Sequence, residues 1–163
     1  MIVLSEERIN ANSPYQVVPI KYGFSFQTDR GIHYAITFRE DQPIGNCDTY
    51  QFIIDKVDRE PSSHDAKVEH TIMAILDEFF VGNLDVLLYM CDTGDNRQAA
   101  RNRLFLTWFK NHADSERFTI KTADTVVEDM PIYVAIIVEN RNPKLSAITE
   151  DFDQTAEALK KPQ

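Results

Sequence analysis

LLYMCDTGDNRQAARNRLFLTWF, the stretch from Leu87 to Phe109, passes from an apolar run through a Gly-Asp turn into a helical pattern. The run that begins at Leu84 lacks polar alternation beyond Asp85, which is typical of a central strand covered on at least one face. Asp95 and Gln98 have the spacing of a capping box, which marks the start of a helix. The stretch therefore predicts a buried strand, a tight turn and a helix over about 96–111.

Residues 22–57 are predicted to form three strands. YGFSFQTDRGIHYAITFR, residues 22–39, alternates large apolar side chains with small or polar ones on both sides of the turn sequence TDRG. This pattern predicts a hairpin, with Gly31 free to adopt positive φ. EDQPIGNCD, residues 40–48, predicts a loop, and YQFIIDKV, residues 50–57, predicts the third strand.

A helix is predicted between this third strand and the central strand. Pro61 and Ser62 precede an apolar pattern of helical period, and Asp65 follows Ser62 at capping distance. The helix is expected to end near Gly82. A strand–helix–strand step of this length also permits a parallel crossover.

The C-terminal third predicts a hairpin and a last helix. RFTIKTADTVV and IYVAIIVEN, residues 117–127 and 132–140, have strand composition and are joined by EDMP. Asn142 is a suitable N-cap, with Pro143 at the first helical position. The apolar stripe of the last helix is Leu145, Ile148, Phe152, Ala156 and Leu159.

These elements predict an α+β fold: a mostly antiparallel sheet with helices on one face, in the order β-β-β-α-β-α-β-β-α. Residues 1–20 contain Pro14 and Pro19, show no helical period around them, and are expected to form a lead-in segment. Residues 21–160 are expected to form a single domain, which is a size that buries an ample core.

Composition narrows the class of protein. The formal net charge is -9, from 17 Lys and Arg against 26 Asp and Glu, which makes nucleic acid an unlikely partner. Cys47 and Cys91 make a poor disulfide framework and predict reduced thiols. The N-terminus lacks the apolar core of a signal peptide, and no apolar run is long enough to span a bilayer. A soluble cytoplasmic protein with no membrane partner is the expectation.

The candidate site lies where the central strand ends and the next helix begins. Asp92 and Asp95 are close enough in sequence to hold a cation or a water nucleophile together. One face of the helix carries Arg97, Arg101, Leu104, Phe105 and Trp108. A guanidinium at the margin of a core needs a carboxylate partner, so an internal Arg–Asp network is the favoured interpretation. The alternative is an anion site at the helix N-terminus, formed with Arg97 and Arg101.

This stretch also resembles a known pattern. Tyr89, Cys91-Asp92, Asp95-x-Arg97, Arg101, Phe105 and Trp108-Phe109, together with the aromatic hairpin of residues 22–38, are similar to the signature of an uncharacterised family of small bacterial proteins. The resemblance covers about residues 20–112. It implies a bacterial cytoplasmic protein and assigns no activity, cofactor or catalytic residue.

Other chemical motifs are absent from the sequence. None of His33, His64, His70 and His112 stands in a metal-ligand motif, and no phosphate-binding glycine loop occurs. Cys91 as a nucleophile is disfavoured against a small buried residue. The sequence therefore predicts no metal and no cofactor.

Three functional hypotheses follow, and the first is favoured. It is a non-catalytic interaction domain that binds another protein or a second copy of itself, through a sheet edge or the last helix. The second is an enzyme or ligand-binding domain with its site at Asp92, Asp95, Arg97 and Arg101. The third is an acidic mimic of nucleic acid, which fits the charge alone.

Overall fold

A computed structural model describes residues 3–56, 65–92, 107–111 and 116–160, with Cys91, Asp92, Val127 and Lys160 described by their backbone alone. The helices are α1 (Glu6–Asn12), α2 (Ala66–Gly82), α3 (residues 107–111) and α4 (Leu145–Lys160). The strands are β1 (Val18–Ile20), β2 (Gly23–Gln27), β3 (His33–Ile44), β4 (Cys47–Lys56), β5 (Val86–Asp92), β6 (Phe118–Val127) and β7 (Met130–Glu139).

The seven strands form one open sheet in the order β1-β2-β3-β4-β5-β7-β6. β4 and β5 are parallel, as the strand–helix–strand spacing permits, whereas β1–β2, β2–β3, β5–β7 and β6–β7 are antiparallel. The predicted α+β class is confirmed. From β2 onwards the order of elements is the predicted one, and the sequence analysis missed only α1 and β1, within the first twenty residues.

Short turns replace two predicted features. The loop predicted over residues 40–48 is wrong, because β3 continues to Ile44 and β4 begins at Cys47, which is buried. Gly45 and Asn46 form the whole connection, with φ of 58° and 59°, as a two-residue hairpin turn of the primed type requires. Tyr22 was expected on the apolar face of a strand. It lies instead in the turn between β1 and β2, with φ of 67° and 62% exposure.

Both helix caps are set by side chains. The N-cap of α2 is Asp65, which accepts a hydrogen bond from Lys67 N at 2.9 Å, and not the predicted Ser62, which lies outside the described residues. Asn142 lies before α4 as predicted, but α4 begins at Leu145 and not at the predicted Pro143. Asn142 Oδ1 accepts a hydrogen bond from Lys144 N at 2.8 Å. Each cap satisfies a backbone N–H that has no partner within its helix.

The chain divides into two compact units, each with its own packing. The first comprises Met1–Arg39 and Phe52–Asn83. Its core is built on α2, whose buried side chains extend around most of the helix. Phe79 stacks on Phe38 of β3 at a centroid distance of 5.6 Å, which joins the helix to the sheet.

The second unit comprises Glu40–Gln51 and Leu84–Gln163. Its core is a cluster between the sheet and α4, formed by Cys47, Val86, Leu88, Ile136, Val138, Ile148 and Phe152. Gly45 N donates to Asp151 Oδ2 at 2.7 Å, so the β3–β4 turn is attached to α4. The prediction of one domain over residues 21–160 stays a prediction.

Candidate functional site

Most of the site residues that the sequence predicts lie outside the described part of the chain. Asp92 is the last residue of β5, and its backbone is in register with Ile132 of β7. It therefore stands at the C-terminal end of a central strand, as predicted. Asp95, Arg97 and Arg101 lie outside the described residues, and a site at these positions stays a prediction.

In the first unit, one buried carboxylate is paired with an arginine. Glu78 of α2 has a side-chain exposure of 4% and accepts hydrogen bonds from Arg8 Nη2 at 2.6 Å and from Ser5 N at 3.0 Å. The bonds from Arg8 lower the pKa of Glu78, against the opposing effect of burial. This pair attaches α1 to α2, which is a structural role.

In the second unit, Glu139 is the equivalent buried carboxylate. Its Oε2 accepts a hydrogen bond from Arg141 Nε at 2.7 Å, and its Oε1 lies 3.4 Å from Arg117 Nη2. Bonding to Glu139 raises the pKa of Arg141. The pair closes the end of the β6–β7 hairpin, so this carboxylate also has a structural partner.

Three acidic side chains lie close enough to Tyr50 of β4 to affect its pKa. Burial raises the pKa of Tyr50, and the charges of Glu40, Asp85 and Asp48 raise it further. Burial likewise raises the pKa of Asp85, with a contribution from Asp48, while Lys144 opposes the shift. Within the described ranges, no three His, Cys, Asp or Glu side chains are arranged to hold a metal ion.

The β6–β7 hairpin is long and regular. Its turn is Glu128–Asp129, with φ of 50° and 65°, rather than the predicted four-residue connection. The register is continuous from Val127↔Met130 to Phe118↔Glu139, with no bulge. β6 lies at the end of the strand order, so β7 is its one partner among the strands of the described residues.

The turn fixes which backbone groups of β6 point away from β7. Residues that flank a two-residue hairpin turn exchange both backbone hydrogen bonds, and the direction then alternates along the strand. Val127 and the other odd-numbered residues therefore face β7. The bond from Asn140 N to Arg117 O, 2.7 Å long, agrees with this alternation. Beyond Phe118, the groups that face outward belong to Ile120, Thr122, Asp124 and Val126, and we call them the open edge.

Side chains along β6 differ between its two faces. Thr122, Asp124 and Val126 lie on one face and are exposed, Val126 by 54%. On the other face, Lys121 Nζ bonds to Asp153 of α4 at 3.0 Å. Thr125 is also on that face and is buried, and its Oγ1 has no hydrogen-bond partner in the described structure.

The open edge differs from the opposite edge of the sheet. β1 has three residues, and its central Pro19 has no N–H to donate to another strand. β6 has ten residues, mostly Thr and apolar types. It has no proline and only two charged residues, Lys121 and Asp124. Natural sheets usually protect such a strand with proline, bulges, charge or a covering segment. β6 is therefore the candidate binding element.

Sequence reasoning identified β6 as a strand but not as an edge. Its high Thr and Val content predicts a strand in any position of a sheet. The edge position depends on β7 lying between β5 and β6, which is a tertiary pairing. The absence of proline and the low charge of residues 118–127 were the available signals.

The comparisons with known proteins identify a family. A family model described as a family of unknown function, DUF6169, matches residues 64–154, and the chain belongs to this family. The match includes the Tyr89–Phe109 signature, but it excludes the hairpin of residues 22–38 that the resemblance over residues 20–112 had included. No curated protein and no solved structure matches the chain.

Proposed function

We propose that this member of the DUF6169 family is a non-catalytic protein-interaction domain that binds an extended segment of a partner protein along the open edge of β6. The observation that carries the proposal is the ten-residue edge strand with an unbroken register. A regular strand with one neighbour among the described strands is a template for an added strand, and main-chain hydrogen bonds supply the affinity.

The backbone geometry supports a useful affinity. The open edge has four outward-facing residues, each with one N–H and one C=O, so an added strand can form several hydrogen bonds. Each such bond contributes about 0.5–1.5 kcal/mol net. The exposed Thr122, Asp124 and Val126 side chains lie beside these groups and would set the preference for one segment over another.

Charge and cysteine usage define the setting of this interaction. The net charge of -9 disfavours nucleic acid and acidic membranes as partners. None of the helices within the described ranges has the length and hydropathy to cross a membrane. Cys47 is a free, buried thiol, which is consistent with a reducing compartment. We propose a location in the bacterial cytoplasm on the cysteine usage and the family resemblance.

The test removes one outward N–H without touching the β6–β7 ladder. Thr122→Pro deletes an N–H of the open edge, where proline is tolerated, and Thr122→Ala is its matched control because it loses the same hydroxyl and keeps the N–H. Each purified variant is compared with the wild type in affinity capture from the native cell. Hydrogen exchange of the β6 amides is then measured with and without each retained protein.

We expect the wild type and Thr122→Ala to retain the same protein and to show slower exchange at the even-numbered amides of β6. Thr122→Pro should lose that protein. Retention by all three variants, with unchanged exchange in β6, would contradict the proposal. Retention lost only on Arg97→Ala or Arg101→Ala would favour the alternative site at Asp92, Asp95, Arg97 and Arg101.

A further inference from the structure

We infer that the partner strand is β6 of a second copy of this chain, added antiparallel about a two-fold axis at Ala123. The inference rests on the proposed strand-addition function and names its occupant. It follows from the direction of the outward backbone groups and from the side-chain order along β6.

Symmetry restricts the possible registers. Two identical strands related by a two-fold axis pair antiparallel, and residues directly opposite each other lie on the same face of the sheet. The axis must therefore pass through a residue paired with its own copy. Four such residues lie in the middle of β6, from Lys121 to Asp124.

Three of these registers contain a mismatched pair of side chains. An axis at Lys121 places two ammonium groups opposite each other, and an axis at Asp124 does the same with two carboxylates, both of which are destabilising. An axis at Thr122 places Asp124 opposite the apolar Ile120. The axis at Ala123 has none of these mismatches.

The register at Ala123 gives complementary pairs on the exposed face. Ile120 lies opposite Val126 of the second copy, which pairs two apolar side chains. Thr122 lies opposite Asp124 of the second copy, where its hydroxyl can donate to the carboxylate. These four residues also carry the outward backbone groups, so they form the hydrogen-bonded pairs of the new ladder.

On the other face, the same register places Lys121 of the second copy directly opposite Thr125. The ammonium of each Lys121 already bonds to Asp153 of its own chain at 3.0 Å. Thr125 carries no charge, so Lys121 meets no like charge in this register.

Ionic strength provides a distinctive signature. Each copy carries a net charge of -9, so two copies repel at long range, while the contact itself contains one Lys and one Asp from each strand. Salt screens the long-range repulsion between exposed charges more than it weakens hydrogen bonds within a sheet. The dimer should therefore become tighter as the salt concentration rises.

The experiment measures the mass of the protein in solution. Cross-linking then tests which residues of the two β6 strands lie opposite each other. Light scattering after size exclusion gives the mass of the wild type, Thr122→Pro and Thr122→Ala over a wide range of protein concentration. Ala123→Cys is oxidised in parallel with Thr122→Cys. A non-hydrogen-bonded pair has Cα atoms about 4.5 Å apart, within the disulfide range of about 4.4–6.8 Å, whereas Thr122 and its copy would be diagonal neighbours about 7–8 Å apart.

We expect a concentration-dependent dimer for the wild type and Thr122→Ala, a monomer for Thr122→Pro, and a covalent dimer for Ala123→Cys only. Should Thr122→Pro misfold, Val126→Lys is the second edge variant and Val81→Lys on α2, of similar exposure, its control. A monomeric wild type, a dimer that survives both edge variants, or cross-linking through Thr122→Cys alone overturns the inference.

These outcomes separate the inference from the function it rests on. A monomeric wild type that still captures a different protein through Thr122 refutes the second copy as partner and leaves strand addition intact. A monomeric wild type whose capture is insensitive to Thr122→Pro refutes both.

Discussion

The Arg8 guanidinium and the Glu78 carboxylate are joined by three hydrogen bonds of 2.6, 2.9 and 3.2 Å, across 70 residues of sequence. The carboxylate is buried while the guanidinium is largely exposed. Removing Arg8 would therefore leave a buried carboxylate that accepts a hydrogen bond from the Ser5 N–H alone among the described contacts. The sequence did not predict α1, yet α1 supplies the arginine that pairs with the buried carboxylate of α2.

Glu78→Gln should lower stability at neutral pH and lose this effect in acid. Because Arg8 lowers the pKa of Glu78 in the folded chain below its ordinary value of 4.5, the carboxylate stabilises the fold fully above that pH. The contribution is lost as the pH falls through the folded-state pKa. Urea unfolding of both proteins across this range gives the difference, and a gap that stays constant into acid would contradict the assignment.

Gly45→Ala should be much more destabilising than Gly31→Ala. Both glycines have positive φ, 58° and 82°, which costs a residue with a Cβ about 1–2 kcal/mol. A Cβ on Gly31 would meet only Gln27 Nε2 at 3.6 Å, whereas one on Gly45 would lie 2.6 Å from the backbone of Ala147. Thermal unfolding of both variants tests this, and equal losses would mean that α4 adjusts freely.

Asn142 has two separable roles, and substitution should distinguish them. Its Oδ1 caps α4, and its Nδ2 donates to Leu84 O. Asn142→Ala loses both, at a cost of about 2–4 kcal/mol from the missing cap and the unsatisfied carbonyl. Asn142→Ser keeps a capping oxygen and should recover about 1 kcal/mol. Chemical denaturation measures both, and identical values would exclude a capping role.

Thr125→Val should stabilise the monomer. In the monomeric Thr122→Pro background, replacing the unpaired hydroxyl with a methyl group should raise the free energy of unfolding by about 1 kcal/mol. Chemical denaturation of Thr122→Pro with and without Thr125→Val measures the change, and destabilisation would show that Thr125 already has a partner.

Sequence reasoning was strongest where local patterns carry the information. The alternation around Phe24, Phe26 and Ile36 predicted the β2–β3 hairpin, and all three side chains are buried. It was weakest where one residue decides between a loop and a turn. Gly45-Asn46 was available as a hairpin signal, but the polar residues before it suggested a loop, because the exposed end of a strand has no apolar period.

The α+β class, the element order from β2 to α4, the capping bond of Asn142 and the family follow from the amino-acid sequence alone, because they depend on periodicity, capping chemistry and motif spacing. The pairing of Glu78 with Arg8 and the position of β7 between β5 and β6 are known only from the three-dimensional fold. Both depend on contacts between distant parts of the chain, which the burial of apolar surface selects for the chain as a whole. The candidate binding edge is a result of that strand order. If β6 lay between two strands, the same ten residues would have no open edge.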